Sequence, residues 1–185
     1  TKKLALGTAN WGQNYGIFNN KDLVQKDIKK ILDHSQLMGV DTIDTAFLYG
    51  NSEKFLGNFV LDRFKVITKT SFFYEDVITN YNADNLQKNI ELSLENLNQK
   101  NIYGLLIHRS TDLLKEGAEN IIRKLKELKN KGLVKKIGIS IYDPKILNQI
   151  YKLFIPDIVQ LPINVFNQES ILEGYLSEMK GKNIE

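Results

Sequence analysis

The residues of this sequence that could do chemistry stand where short apolar runs end. Lys69 closes the run Val66-Ile67-Thr68, Asp44 closes the run before it, and His108 closes the run after it. A lysine at the end of an apolar strand is costly to bury unless a carboxylate pairs with it, and Asp44 is the obvious partner. Together with the imidazole, this pair places functional polar groups at one edge of a sheet.

Each of these residues also has an ordinary structural explanation. Asp44 could cap a loop, His108 could be a hydrogen-bonded core histidine, and Lys69 could extend to water. Tyr49 could be a half-buried packing residue. Their joint placement favours the functional interpretation, because the reactive groups of parallel α/β folds lie at the carboxyl ends of the strands. Small or polar residues end the other strands of the series in the same way: Gly7 and Thr8, Ser140, and Gln160.

The elements that must position these residues alternate along the chain. Short β-branched or apolar runs are followed by longer stretches with apolar residues at helical spacing, the pattern of βα units on a parallel sheet. The continuous apolar character of the runs is typical of strands that are covered on both faces. The six predicted strands span residues 3–6, 40–44, 64–69, 102–108, 134–140 and 157–161.

Six amphipathic stretches alternate with these strands and predict helices whose apolar stripes are buried. The first helix follows Asp22, carries Leu23 on its stripe and is ended by Gly39. The third helix is predicted to open at Asp84. The other four stripes lie within residues 51–60, 118–128, 146–153 and 171–179.

A series of consecutive βα units fits two architectures, a doubly wound open sheet or part of a barrel of eight units. No linker or low-complexity tract divides the chain, so residues 1–185 are expected to form a single domain. Because a full barrel typically takes about 250 residues, a barrel built from this chain would be short by about two units.

Composition excludes several classes of protein. With 42% apolar and 25% charged residues, the mix is that of a globular domain. The absence of cysteine removes disulfides, thiolate metal sites and thiol nucleophiles, and no metal site is expected. The net charge of +3 comes without a cluster of arginine and aromatic residues, so nucleic acid is not expected as a partner. The apolar runs are short and the N-terminus does not read as a signal peptide, which predicts a cytoplasmic protein with no membrane span.

The segment that begins at Asp44 carries a family resemblance. It reads Asp-Thr-Ala-Phe-Leu-Tyr-Gly-Asn-Ser-Glu up to Glu53 and continues with Phe55-Leu56-Gly57. Supporting matches occur elsewhere in the chain: Leu6-Gly7-Thr8, Val66-Ile67-Thr68-Lys69, Leu105-Leu106-Ile107-His108, residues 132–140, and Val159-Gln160. With these motifs, essentially the whole chain resembles the aldo-keto reductases.

The resemblance implies an α/β fold, a TIM-type (β/α)8 barrel that here would lack its last two βα units. It also implies NADPH, bound in extended form without a Rossmann fold, and indeed no G-x-G-x-x-G motif follows any predicted strand. The family's activity is reduction of an aldehyde or ketone to the alcohol, so a small-molecule carbonyl substrate is expected. The family's four catalytic positions fall on Asp44, Tyr49, Lys69 and His108.

Further positions concern the cofactor and the substrate. Ser140 and Gln160 match the positions that hold the nicotinamide carboxamide. Gly7 and Thr8 match a loop beside the cofactor. Four aromatic residues follow the first three strands and are expected to form walls of the substrate pocket: Trp11, Phe47, Phe72 and Tyr74.

The four catalytic positions suit the chemistry of carbonyl reduction. A tyrosine hydroxyl, with an ordinary pKa of about 10, is a poor acid at neutral pH. A lysine ammonium about 4 Å away, at an effective dielectric constant of about 20, favours tyrosinate by roughly 4 kcal/mol. Lys69 beside Tyr49 would therefore make the phenol a proton donor, and Asp44 would hold Lys69 charged and in place. His108, as a neutral donor, would orient the carbonyl oxygen, while nicotinamide would supply the hydride.

Two departures from the family keep alternatives open. Ile141 follows Ser140 where the family commonly has asparagine, so one amide contact to nicotinamide is missing or comes from elsewhere, such as Asn164. The absent βα units favour a non-catalytic member that binds cofactor and acts through a partner protein. A third class is a Schiff-base aldolase that uses Lys69 as its nucleophile, although an adjacent Asp44 favours the charged form of the amine.

Overall fold

Six parallel strands form one sheet in the computed structural model, which describes residues 4–12 and 25–185. The strands are β1 (Leu6–Gly7), β2 (Thr42–Asp44), β3 (Lys65–Lys69), β4 (Ile102–Ile107), β5 (Val134–Ser140) and β6 (Ile158–Gln160). They lie side by side in chain order, and each pairs in parallel with the next. This order rules out the doubly wound alternative, because such a sheet reverses its strand order at a switch point. The prediction of six parallel βα units is confirmed.

The sheet is curled. Gln160 at the end of β6 donates a hydrogen bond from Nε2 to Oδ1 of Asp44 at the end of β2, over 3.2 Å. In a flat sheet these two strands would lie about 19 Å apart, because they are separated by four strand spacings of about 4.8 Å. The contact therefore requires the strands to bend round a common space, with their carboxyl ends facing it.

Helices pack on the strands and cover one face of the sheet. They are α1 (Gln25–Leu37), α2 (Ser52–Gly57), α3 (Asn80–Asn96), α4 (Glu119–Asn130), α5 (Leu147–Ile150), α6 (Glu169–Leu172) and α7 (Tyr175–Gly181), with 3₁₀ turns at Ser110–Leu114 and Pro144–Ile146. Buried side chains of strands and helices form one apolar cluster that includes Ile43, Leu86, Leu105 and Leu125. Within residues 4–12 and 25–185, no helix is both long and apolar enough to cross a membrane.

The third helix begins earlier than the sequence suggests. It starts at Asn80, so the prediction that it opens at Asp84 is wrong. Oδ1 of Asn82 accepts hydrogen bonds from the backbone N–H of Thr79 at 2.9 Å and from its hydroxyl at 3.0 Å. This capping box satisfies donors that the first turn of the helix leaves unpaired.

The helices at the two ends of the chain differ in how well the pattern predicts them. The first ends at Leu37, before Gly39 at a φ of 73°, as expected, whereas Asp22 and Leu23 lie outside the described residues. The last predicted stripe, 171–179, is divided into α6 and α7 by Gly174, whose φ is 81°. Among the apolar residues of that stripe only Tyr175 and Met179 are buried, so its prediction as one buried helix face is wrong.

A glycine fixes how closely β6 approaches β5. A Cβ added at Gly138 would lie 2.1 Å from the carbonyl oxygen of Ile158 and 2.7 Å from Cδ2 of Leu106. The Ile158 backbone is held by its pairing with Gly138, so it cannot move away without loss of that register.

We expect Gly138→Ala to lower the free energy of unfolding by about 1–3 kcal/mol or more, because the added methyl group overpacks the sheet. Urea denaturation measures the change. Gly181→Ala is the matched control, since nothing lies within 4 Å of a Cβ at that position. Equal effects of the two substitutions would contradict the close approach of β5 and β6.

Candidate active site

Lys69 is at the centre of the candidate site. Its side chain is 3% exposed, and its Nζ lies 2.6 Å from Oδ1 of Asp44. Nζ also donates to the carbonyl oxygen of Thr45 at 3.0 Å and to the hydroxyl of Tyr49 at 3.3 Å. An ammonium group carries three donors, so these three acceptors account for all of them.

The segment between β2 and α2 brings Asp44 and Tyr49 to Lys69. The chain continues beside β3 after β2 ends, since the N–H of Phe47 bonds the carbonyl of Lys69 at 3.1 Å. It then turns at Gly50, whose φ is 57°, into α2. The buried hydroxyl of Ser52 donates to the carbonyl of Thr8 at 2.8 Å, which ties this turn to the segment after β1.

His108 follows β4 and faces the same space. Its ring centroid lies 5.9 Å from that of Tyr49, edge to face, and 5.0 Å from that of Phe72. Burial lowers the pKa of His108 below its ordinary value, and the positive charge of Lys69 lowers it further, against weaker opposing effects of Thr70 and Asp44. The imidazole is therefore neutral at pH 7, as the expected role of a neutral donor requires.

Burial and charge act in opposite directions on Lys69. Removal from water lowers the pKa of its ammonium, and the hydrogen-bonded carboxylate of Asp44 opposes that shift. Asp44 itself is 20% exposed and accepts from both Lys69 and Gln160 through Oδ1. The pair thus stands at the boundary between the protein interior and the open space above the strands.

A cavity of about 260 Å³ brings together five of the predicted site residues. Its lining includes Tyr49, Lys69, His108, Ser140 and Gln160. Hydroxyl and amide groups at Ser140 and Gln160 can donate to and accept from a carboxamide, so the chemistry of this lining fits a nicotinamide ring beside Tyr49 and His108.

Gly7 and Thr8 are not part of the lining of this cavity. Thr8 is fully buried and donates to the backbone carbonyl of Asp44 from its N–H at 3.0 Å and from its hydroxyl at 3.1 Å. Gly7 is exposed, and nothing lies within 4 Å of a Cβ there. Their role beside a cofactor stays a prediction.

The four predicted aromatic walls lie in different surroundings. Phe72 lines a second cavity of about 580 Å³ that shares His108 and Ser140 with the first. Phe47 is half-buried, Trp11 is packed into the apolar core, and Tyr74 is 76% exposed beside Phe72. Phe72 thus borders a cavity at the site, and substrate contact by any of the four stays a prediction.

Some residues at the site are not predicted by the sequence analysis. Tyr142 lines both cavities, and its position two residues after Ser140 is a signal that could have identified it. Arg109, the residue after His108, is partly exposed and forms an ion pair with the buried carboxylate of Asp112. Asn164, considered above as a source of an amide contact, uses its side-chain oxygen to accept from the N–H groups of Phe166 and Asn167 in its own turn.

Known proteins resemble this chain over most of its length. The model of the aldo/keto reductase family matches residues 3–185. A putative aldo-keto reductase from Pseudomonas aeruginosa is 20% identical, with a TM-score of 0.77 over 96% of this chain and 68% of that one. A holo-form aldo-keto reductase from Bacillus halodurans is 17% identical, with a TM-score of 0.76 over 99% of this chain and 60% of that one. No curated protein sequence matches the chain.

A further solved structure is a thermostable aldo-keto reductase in complex with the inhibitor epalrestat. It is 21% identical, with a TM-score of 0.72 over 97% of this chain and 65% of that one. At these identities the likeness concerns the fold, and the chain spans between 60% and 68% of the three solved chains. The predicted incomplete (β/α)8 barrel and the family resemblance are both confirmed.

The lowered pKa of His108 predicts a pH dependence of folding. The unfolded chain binds the imidazole proton more tightly than the folded chain, so stability rises with pH between the lowered pKa and the ordinary value of 6.5. His108→Gln removes this titration. The stability of the wild type relative to this variant should therefore increase between about pH 5 and about pH 7.5, as followed by urea denaturation.

The control for this experiment is His34→Gln, which removes the other histidine of the chain from the exposed surface of α1. A difference between wild type and His108→Gln that does not change with pH would contradict the burial of a neutral imidazole.

Proposed function

The chain belongs to the aldo/keto reductase family, and from that premise we propose that it reduces an aldehyde or ketone to the alcohol, with NADPH as the hydride donor and Tyr49 as the proton donor. The observation that carries the proposal is the 3.3 Å contact between Nζ of Lys69 and the hydroxyl of Tyr49, backed by the 2.6 Å ion pair of Lys69 with Asp44. NADPH would supply a hydride to the carbonyl carbon, and these residues supply the proton.

The proton comes from the phenol of Tyr49. An ammonium 3.3 Å away stabilises the phenolate by about 5 kcal/mol at an effective dielectric constant of about 20, before desolvation opposes it. This makes the phenol a stronger acid at the moment when negative charge develops on the carbonyl oxygen. Removal of the proton leaves a phenolate whose charge Lys69 balances.

Asp44 keeps Lys69 in its working state. Burial lowers the pKa of Lys69, and the carboxylate at 2.6 Å opposes that shift and favours the ammonium. The amide of Gln160 donates to the same carboxylate oxygen and limits its movement. A fixed ammonium then points one of its protons at Tyr49, so the electrostatic stabilisation is in place before the reaction.

His108 orients the substrate in this mechanism. A neutral imidazole has one N–H donor, and its place in the cavity beside Tyr49 allows it to donate to the carbonyl oxygen that Tyr49 protonates. Ser140 and Gln160 would hold the nicotinamide carboxamide against the same cavity. The contact of His108 would fix the carbonyl group, and those of Ser140 and Gln160 would fix the hydride donor beside it. Such fixed geometry is a large part of catalysis in bimolecular reactions.

One observation favours a Schiff-base aldolase as a second candidate. Burial lowers the pKa of Lys69, as a nucleophilic amine requires. Against it, all three ammonium donors face acceptors, and one of these is a carboxylate. Treatment with borohydride in the presence of a carbonyl substrate distinguishes the two, because an aldolase would be trapped covalently at Lys69.

We expect Tyr49→Phe to lower turnover by about 10²- to 10⁴-fold, since general acid catalysis is lost, while NADPH still binds. The assay follows NADPH oxidation with a panel of aldehydes and ketones, and NADPH fluorescence titrations measure binding. Tyr81→Phe, on the exposed face of α3, is the matched control.

Unchanged turnover in Tyr49→Phe would overturn the assignment of the proton donor. NADPH binding by the wild type without turnover of any carbonyl compound would favour a non-catalytic, cofactor-binding member of the family.

A further inference from the structure

The orientation of the His108 imidazole depends on the groups that contact its ring. Its Nδ1 is buried and, within the described part of the chain, has no hydrogen-bond partner. Functional histidines usually have one ring nitrogen held by a carboxylate or a backbone carbonyl. Two aromatic side chains contact the ring instead: the ring centroid of Tyr49 lies 5.9 Å from that of His108, and the ring centroid of Phe72 lies 5.0 Å from it. Tyr49 is itself fixed by Lys69, so the remaining freedom of the imidazole depends on Phe72.

Phe72 lies in the loop after β3, and three side chains of the next βα unit hold that loop. We name Arg109, Asp112 and Lys115 the Arg109 clamp. The guanidinium of Arg109 lies 5.0 Å from the ring centroid of Phe72, and its Nη2 donates to the carbonyl of Phe73. Nζ of Lys115 donates to the same carbonyl at 2.5 Å and to that of Glu75 at 2.9 Å.

Asp112 anchors the clamp from inside the protein. Its side chain is 2% exposed and accepts from Nε of Arg109 at 2.9 Å, from Lys115 at 3.0 Å and from the N–H of Phe73 at 3.1 Å. A buried carboxylate with two cations and a backbone N–H is fully paired, and removal of one partner would leave uncompensated charge. The loop that carries Phe72 is thus fixed to the segment that follows His108.

We propose that the Arg109 clamp is a positioning device for the reaction: it holds Phe72 against His108, and Phe72 holds the imidazole in the orientation that serves the substrate. This inference rests on the proposed function for its purpose, while the contacts that carry it are independent of turnover. Arg109, Asp112 and Lys115 act through Phe72 and need not touch the substrate. Packing by an aromatic ring replaces the hydrogen bond that Nδ1 lacks.

Nuclear magnetic resonance of the two histidines tests the proposal on the whole chain. The chain has only His34 and His108, so His34 on α1 serves as an internal reference. In Phe72→Leu the clamp keeps its backbone contacts but the ring beside His108 is lost. The apparent pKa of His108 should rise toward its ordinary value, because water reaches the imidazole, and its ring signals should broaden as the imidazole reorients.

Arg109→Lys should change His108 in the same direction, since a lysine cannot reproduce the planar contacts of the guanidinium. Neither substitution changes the net charge of the protein, and Lys69 and Asp44, whose charges act on the imidazole, are kept. Arg123→Lys, the same substitution at an exposed pair with Glu127 on α4, is the matched control. Phe72→Tyr should restore wild-type behaviour because it returns an aromatic ring.

Two results would overturn the proposed role of the Arg109 clamp. A His108 signal that is unchanged in both Phe72→Leu and Arg109→Lys overturns the proposal. A change in Arg109→Lys without one in Phe72→Leu also overturns it, since the clamp would then act on loop stability alone. These spectra need no substrate, so the proposal can hold where Tyr49→Phe contradicts the proton donor. If turnover is measured, Arg109→Lys should lower kcat by up to about 100-fold, as expected for a misplaced group, whereas Arg123→Lys should not.

Discussion

The burial of one ammonium group determines the shape of this site. Moving a charged amine out of water costs several kcal/mol even after relaxation, so a lysine that is 3% exposed must find acceptors within the protein. Lys69 finds them on the neighbouring strand and in the turn that follows it, at Asp44, Thr45 and Tyr49. The acceptors that replace water around the ammonium of Lys69 include the hydroxyl of Tyr49, so the same contacts bring the phenol to the ammonium. The arrangement needs no separate device to bring the hydroxyl of Tyr49 into contact with the cation.

The curled sheet completes the surroundings of that ion pair. Asp44 Oδ1 accepts from Lys69 and from Gln160, which lies four strands away in the sheet. Only a sheet that bends toward a barrel allows this contact, and the close approach of β5 and β6 at Gly138 is one of its conditions. Global topology and local electrostatics thus depend on each other, because the carboxylate that neutralises Lys69 is held by the last strand of the series.

The sequence predicts the parts of the fold that follow from periodicity. Apolar runs locate the strands, and the polar residues at their ends locate Asp44, Lys69 and His108 at one rim. Other parts depend on contacts between distant segments and have no local signal. The carboxylate of Asp112, for example, accepts a hydrogen bond from the backbone N–H of Phe73, which lies 39 residues earlier in the chain. The apolar stripe at 171–179 reads as buried, but its burial depends on what packs against it, which periodicity does not specify.

The segment from β2 to α2 carries two carboxyl groups, Asp44 and Glu53, which contact different residues of β3. Neighbouring residues of a strand point to opposite faces, so Thr68 and Lys69 of β3 contact different carboxyl groups of the same motif. Lys69 pairs with Asp44, while the hydroxyl of Thr68 donates to Glu53 at 2.6 Å. Glu53 is 3% exposed, and burial raises its pKa above its ordinary value. Its hydrogen bond with Thr68 opposes that shift of the pKa. Of these two carboxyl groups, the ammonium of Lys69 pairs with Asp44, and its other donors bond Thr45 and Tyr49.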